Sequence, residues 1–368
     1  MDQQATPAPA PRRAYLDNLK VLLVAGVIVG HVLISYGDIG SWAYHEPSTN
    51  KAFLLPAALF VVLGSFFAMG LFFLIAGFLT PRSLARKGPA AFVGDRAARL
   101  GPAFVFLLVV FPVIRWIGDG SGRSLGWYFR DQVRDPDPGP LWFVLVLFLF
   151  SCGYAAWRAV RPSQAVPRPR RPWTPAAFAA GIAVATFIVR LKLRIDSQQF
   201  LVMHVWQWPQ CFGLFLFGIA CAENGWLDPV PDGLRRRAGG AALAGVSAMV
   251  AAIALDIAPR DAFGGGPTWP AALVAVCEGI VATGVSIWII GTFQRHFDGA
   301  GRLAGALGRA AFGAYVLQAL VAVSLSRLAH PLPWAPELKV LIVAPAALAA
   351  SFGLAWLLTR VPGTKRFL

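Results

Sequence analysis

Charge is scarce in this chain, and acid is scarcer than base. Only 14% of its 368 residues are Asp, Glu, Lys or Arg against 57% hydrophobic, with 18 acidic residues facing 33 basic ones. So little charge excludes a soluble domain of this length. The basic residues lie in short clusters between apolar runs rather than on one face, which excludes a nucleic-acid-binding module. Cysteine is sparse too. Cys152, Cys211, Cys221 and Cys277 all fall in apolar stretches; without paired spacing they exclude a zinc site and a secreted disulfide framework. They read as packing residues, and no metal site is expected. The opening MDQQATPAPAPRR has its A-x-A-like letters before the apolar run instead of after it, so a cleaved signal peptide does not fit and the first helix is expected to stay attached.

What the chain has is long apolar runs. A hydrocarbon core of about 30 Å takes about 20 residues of helix. Ten runs approach that length, roughly Leu19 to Tyr36, Ala52 to Leu79, Pro102 to Ile117, Leu141 to Trp157, Pro175 to Val189, Trp206 to Ala222, Gly239 to Ile257, Ala271 to Phe293, Leu307 to Leu328 and Leu338 to Thr359. About two thirds of the 33 basic residues fall on the side that carries both termini, and basic residues are retained in cytoplasmic loops. The expectation is an all-α, polytopic membrane helix bundle of about ten transmembrane helices with both termini cytoplasmic. It would comprise a disordered cytoplasmic N-terminus over 1–14, one transmembrane domain over 15–360 and a cytoplasmic tail over 361–368, multi-pass in the inner (plasma) membrane. The Pro/Arg segment 161–173 reads as a solvated linker. The aromatic, mixed-charge loop 118–140 reads as a lid, part of an acceptor site or a plain connector.

The first helix carries a lysine and a histidine inside a run of Leu, Val and Gly: LDNLKVLLVAGVIVGHV, residues 16–32. Eleven residues at about 100° each make three turns plus roughly 20°, so Lys20 and His31 share a face, and Asp17 joins it. At about 1.5 Å per residue His31 lies roughly 16 Å beyond Lys20, near the bilayer midplane if Lys20 sits at its edge. An ionisable group at that depth marks an internal, functional cavity; the plain alternative is a satisfied core histidine with a snorkelling lysine. Gly26 and Gly30 form a small-xxx-small pair that would admit another helix. Histidine exchanges protons near neutral pH, so His31 suits a general base for a hydroxyl, or a carrier nucleophile.

These residues resemble the acyltransferase 3 family of integral-membrane acyltransferases, whose first helix carries an Arg/Lys, ten residues and a His. Four later segments match in order. FFLIAGFLTPRSLARKGPAAFVGDRAARLGPAF from Phe72 is similar to the family's FF-L-SG and R-x-x-R-L-x-P elements, with Arg96, Arg99 and Pro102 in the latter. GPLWFVLVLF from Gly139, FGLFLFGIACAENGWL from Phe212 and LGRAAFGAYVLQALV from Leu307 resemble the LWF, F-x-x-G-I and S-Y-x-x-Y-L-x-H segments. Two positions depart: Ala76 stands where serine is usual, and Gln318 where a second histidine is usual. The chain is similar to the family's glucan-modifying branch, the glucans biosynthesis protein C type.

The resemblance implies an acyl donor, an acyl-CoA as co-substrate with no bound cofactor, whose phosphates would meet Arg96 and Arg99 through bidentate hydrogen bonds; positive-inside anchoring is the other use of such arginines. Glu278, alone in an apolar helix, should face the interior, paired with Lys20 or Arg190 or orienting His31. His31, Lys20, Asp17 and Glu278 form the candidate catalytic set. Arg190, Trp142 and Gln318 are candidate acceptor contacts, beside the outer run Arg190, Lys192, Arg194, His204, Trp206, Gln207 and Trp208. The expected reaction is transfer of an acyl group from a cytoplasmic donor to a hydroxyl of a carbohydrate or glycolipid acceptor on the extracytoplasmic side. Membrane lipids, and no nucleic acid, are the other expected partners; a homo-oligomer is compatible with it. A rival is a transporter or flippase that uses His31 and Glu278 as a proton relay, against which stands the lack of an inverted repeat.

Overall fold

A computed structural model describes residues 13–40, 42–161, 167–195, 197 and 202–361. Among these, eleven α-helices follow one another: α1 Ala14–Tyr36, α2 Lys51–Lys87, α3 Pro89–Gly118, α4 Leu125–Arg134, α5 Trp142–Val160, α6 Thr174–Arg190, α7 Trp208–Asn224, α8 Asp232–Ala254, α9 Trp269–His296, α10 Arg302–Ala329 and α11 Pro336–Leu358. All ten apolar runs are helical. Nine helical stretches are long and apolar enough to span a bilayer, and α6 is a shorter apolar helix. The chain is a polytopic membrane bundle. Leu22, Leu55, Val105, Leu149, Leu243 and Leu341 point outward, a belt that lipid must cover. The expected N-terminal segment and C-terminal tail fall almost wholly outside the described residues, as do residues 162–166 of the linker.

The spans alternate in direction, so α1 starts and α11 ends on one face, called here the N-terminal face. The Tyr15 amide, one of the N–H groups that a helix start leaves unpaired, donates to Asp298 Oδ1 at 3.0 Å. Asn18 reaches the Phe297 carbonyl at 2.7 Å. These bonds seat the start of α1 on the turn between α9 and α10. On the opposite face, Ser48 bonds Glu337 at 2.6 Å, which ties the α1–α2 connection to the start of α11.

Two expectations change. Residues 80–101, the gap between the second and third apolar runs and so expected to be a connecting loop, are helical except at Gly88, whose φ is +75°. Pro89 cannot continue a helix but is well placed to start one, and glycine accepts the positive φ between them. The arginines from Arg82 to Arg99 therefore ride on two rigid helix ends. The small pair Gly26 and Gly30 admits no helix backbone: nothing lies near a Cβ built at Gly26, and at Gly30 only the Phe60 ring, 3.9 Å away, does. A close helix pair is α2 with α7 instead. A Cβ on Gly77 would collide with the Phe215 carbonyl, and one on Gly218 with the Leu74 carbonyl.

Gly77→Val should therefore force α2 off α7 at a cost of about 1–3 kcal/mol or more and lower Tm by about 3 °C or more. Gly26→Ala should leave Tm unchanged. Melting curves of the purified protein decide this; equal melting of the two variants would mean that the Gly77 contact is not tight.

Candidate active site

His31 sits on the last turns of α1, turned inward onto α10. Its ring stacks on Trp42, with centroids 4.2 Å apart and planes 27° off parallel. The other polar groups acting on the ring are the Val27 carbonyl, one turn back, and the side-chain amide of Gln318. None of these forms a well-aligned hydrogen bond. His31 Nδ1, Trp42 Nε1 and both polar atoms of Gln318 are enclosed without a partner, and Gln318 has no exposed surface at all. Buried polar atoms in a protein are nearly always satisfied, and within lipid an unsatisfied one is costlier still. Three such residues, with His31 against each of the other two, make this the candidate place for a polar ligand.

α10 serves as a ruler from this place to the N-terminal face. Gln318 faces His31, and Tyr315, one turn earlier, donates to the Pro140 carbonyl. Phe312 carries the Arg99 guanidinium on its ring, 5.8 Å from the centroid. Each neighbouring pair in this series is spaced by three and lies on adjoining parts of the helix surface, the end members about 120° apart, and the six positions from Phe312 to Gln318 span about 9 Å. Arg99 is exposed and Arg96 partly so; they lie close enough to repel one another. Arg96 donates to Thr80 Oγ1 at 3.3 Å and stacks over Phe92 at 5.2 Å. Neither arginine has an ion-pair partner among the described residues, whereas Arg115, Arg158 and Arg295 each have a carboxylate.

On the opposite face, Trp42 is also a wall of a cavity of about 300 Å³, shared with His45, Arg115, Asp119, Arg123 and Tyr128. Part of the 118–140 loop thus lines the cavity, through Asp119, Arg123 and α4. Gly118 lets the α1–α2 connection pass against α3: a Cβ there would run into the Ala43 carbonyl. The Tyr128 hydroxyl donates to Asp119 and, with Ser121, holds its carboxyl below the usual range.

A buried network fixes the connection that bears Trp42. Lys339, 2% exposed, donates to Glu46 Oε1 at 2.6 Å and to the His330 carbonyl at 2.9 Å. Tyr44 donates to Glu46 Oε2 at 2.5 Å. Partial burial raises the pKa of Glu46, but the bonds from Lys339 and Tyr44 outweigh it and hold the carboxyl below its ordinary value. The clamp's stabilisation is therefore present above the unfolded carboxylate range and is lost only as pH falls through that lowered value.

Of the sequence candidates, His31 and Gln318 come together. Lys20 pairs with Asp17 at 3.1 Å, three turns from His31. Glu278 pairs with Arg190 at 2.6 Å, both 2% exposed; Arg190 also bonds the Trp206 carbonyl at 3.3 Å, which leaves it no surface for an acceptor. Trp142 is buried beside His204, ring centroids 5.1 Å apart, away from the outer cavity walls. Arg194 is spent on the Gly265 carbonyl at 2.8 Å, so part of the outer basic run is structural. Trp42, Glu46, Arg115 and Lys339 escaped the sequence reading; the WAYHE run, residues 42–46, was the only signal of the first two.

The acyltransferase domain family matches residues 13–360 of the chain. No curated protein and no solved structure matches it.

Lys339→Met alone should deprive Glu46 of its ammonium partner and lower Tm, while adding Glu46→Gln should restore part of the loss. Thermal melts of both single variants and the double variant test this cycle. Additive losses would show that the two side chains do not hold one another.

Proposed function

The chain belongs to the acyltransferase 3 family, and from that premise we propose that it moves an acyl group from an acyl-CoA to a hydroxyl of a carbohydrate or glycoconjugate across the plasma membrane. The N-terminal face, rich in Lys and Arg, is the cytoplasmic one by the positive-inside rule. Arg96 and Arg99, fixed on helix ends and unpaired, take the phosphates of the donor. The about 9 Å from the Arg99 level to the His31 level along α10 is a distance an extended thioester arm covers. The outer cavity, polar with one indole wall, suits a sugar-sized acceptor: aromatic faces stack on sugar rings, and its charged groups bond hydroxyls.

The observation that carries the reading is the unsatisfied group of His31, Gln318 and Trp42 between these two places. In the reaction the His31 imidazole takes the proton of the acceptor hydroxyl. The hydroxyl oxygen attacks the thioester carbonyl carbon, the C–S bond breaks, and the thiolate leaves with the proton returned from the imidazolium. Alternatively the imidazole first accepts the acyl group and passes it on. Gln318 hydrogen-bonds and orients but cannot act as a base. Lys20 and Asp17, paired at the N-terminal end of α1, order the donor's entrance, and Arg190 with Glu278 braces α6 on α9.

In membranes with matched protein levels, His31→Ala should lower transfer from labelled acyl-CoA to a host glycan extract by about 10²-fold or more; equal incorporation would remove His31 from the reaction. Arg96→Gln combined with Arg99→Gln should raise KM for the acyl-CoA with little change in kcat, the pattern of lost uniform binding. An unchanged KM would release both arginines from the donor site.

A further inference from the structure

α6 and α8 both rest on α9 and make no substantial contact with each other. The Ala179 carbonyl of α6 closes on Gly279, and the Ala238 carbonyl of α8 closes on Gly284, each so near that a Cβ would clash. Between the two helices runs an open groove of about 1070 Å³, with Ala180 on one wall, Ala241 and Ala244 on the other and Ile280 in the floor. The groove is apolar except at two places. At its end on the N-terminal face stand Arg170 and Arg237, neither ion-paired among the described residues. In its floor lies Thr283, 3% exposed, whose hydroxyl has no partner. Thr80 and Thr292 donate to the carbonyls four residues back, at 2.7 and 2.8 Å; Thr283, like Thr186 and Ser286, makes no such bond, but of these three it alone lines the groove.

The depths of these groups match. Gly284 touches Ala238, the residue after Arg237, so the Thr283 hydroxyl lies at the level of the Arg237 backbone, below the guanidinium. From Arg237 to Ala248, eleven residues of α8 cover about 16 Å, half of a core about 30 Å thick. The groove thus offers two cations at the membrane surface, a hydrogen-bond donor just beneath them and an apolar channel one leaflet deep. We propose that it is a binding site for one anionic phospholipid of the leaflet at the N-terminal face. The phosphate meets Arg170 and Arg237, a glycerol ester carbonyl accepts from Thr283, and an acyl chain lies along the alanine walls. The site is separate from the acyl-transfer reading and does not depend on it.

The test uses the full-length protein extracted into mild detergent and titrated with phosphatidylglycerol or phosphatidylcholine, with retained lipid counted by native mass spectrometry and Tm followed alongside. Phosphatidylglycerol should be retained and raise Tm; phosphatidylcholine should do neither. Retention should fall about tenfold in Arg170→Gln/Arg237→Gln, from the loss of two surface cations. It should also fall in Ala241→Trp, which fills the channel, and in Thr283→Val, which changes neither charge nor volume greatly. Equal retention of the two lipids, or variants that retain phosphatidylglycerol like the parent, would overturn the proposal. So would a dimer in lipid whose Ala244→Cys copies cross-link, because a second copy would then cover the groove.

Discussion

Lipid offers no hydrogen bonds, so every polar group that a spanning helix carries inward has to find its partner within the bundle. Much of this protein's architecture answers that demand. Arg190 and Glu278 neutralise each other between α6 and α9. Gln207 and Gln210 reach the backbone carbonyls of Ser65 and Phe66. Lys339, enclosed at the head of α11, is met by Glu46 and the His330 carbonyl. Single hydroxyls such as those of Ser151, Thr186 and Ser351 also lack a partner, but around His31 three unanswered side chains gather where α1, α10 and the α1–α2 connection meet.

The family segments, scattered over more than two hundred residues, turn out to be neighbours. Gly77 of the second and Gly218 of the fourth occupy facing gaps between α2 and α7. Tyr315 of the last segment bonds Pro140 of the third and packs on Phe143 with centroids 4.9 Å apart, while Phe72 and Phe73 of the second pack on the same ring. Gln318, three residues on, faces His31. The segments therefore form one scaffold, whose glycines set helix spacing and whose aromatics set the height of α10 against α2 and α5. The role of Ala76 is clear at the backbone level: its carbonyl accepts from Thr80, which in turn accepts from Arg96. That chain of bonds needs no hydroxyl at position 76.

The fold was legible because hydrophobic length is a strong signal: ten apolar runs became ten helices, most ends displaced by a few residues and the start of α3 by thirteen. The break at Gly88 was harder to read, since two helices that continue beyond the lipid lose the apolar pattern while keeping the helix. In the site, His31, Arg96 and Arg99 were visible through their types and places in the chain. Trp42 was not, because nothing in the spacing of a connecting segment says that it folds back over the helix it leaves. Glu46 with Lys339 was hidden for a similar reason: nearly three hundred residues separate partners that topology brings to one corner. Glu278 announced itself as an isolated acid, but sequence alone left Lys20 and Arg190 as equal partners.

Trp42 has one face on His31 and also walls the outer cavity. A passage open from one side of a membrane to the other would let protons through and dissipate the gradient that the membrane holds. The Trp42 indole, between His31 and the outer cavity, is a bulkhead: broad, apolar and carried on a connection that the Glu46–Lys339 clamp holds. In the proposed reaction, groups arriving from either side would come within one ring's thickness of each other while the barrier to ions stays shut.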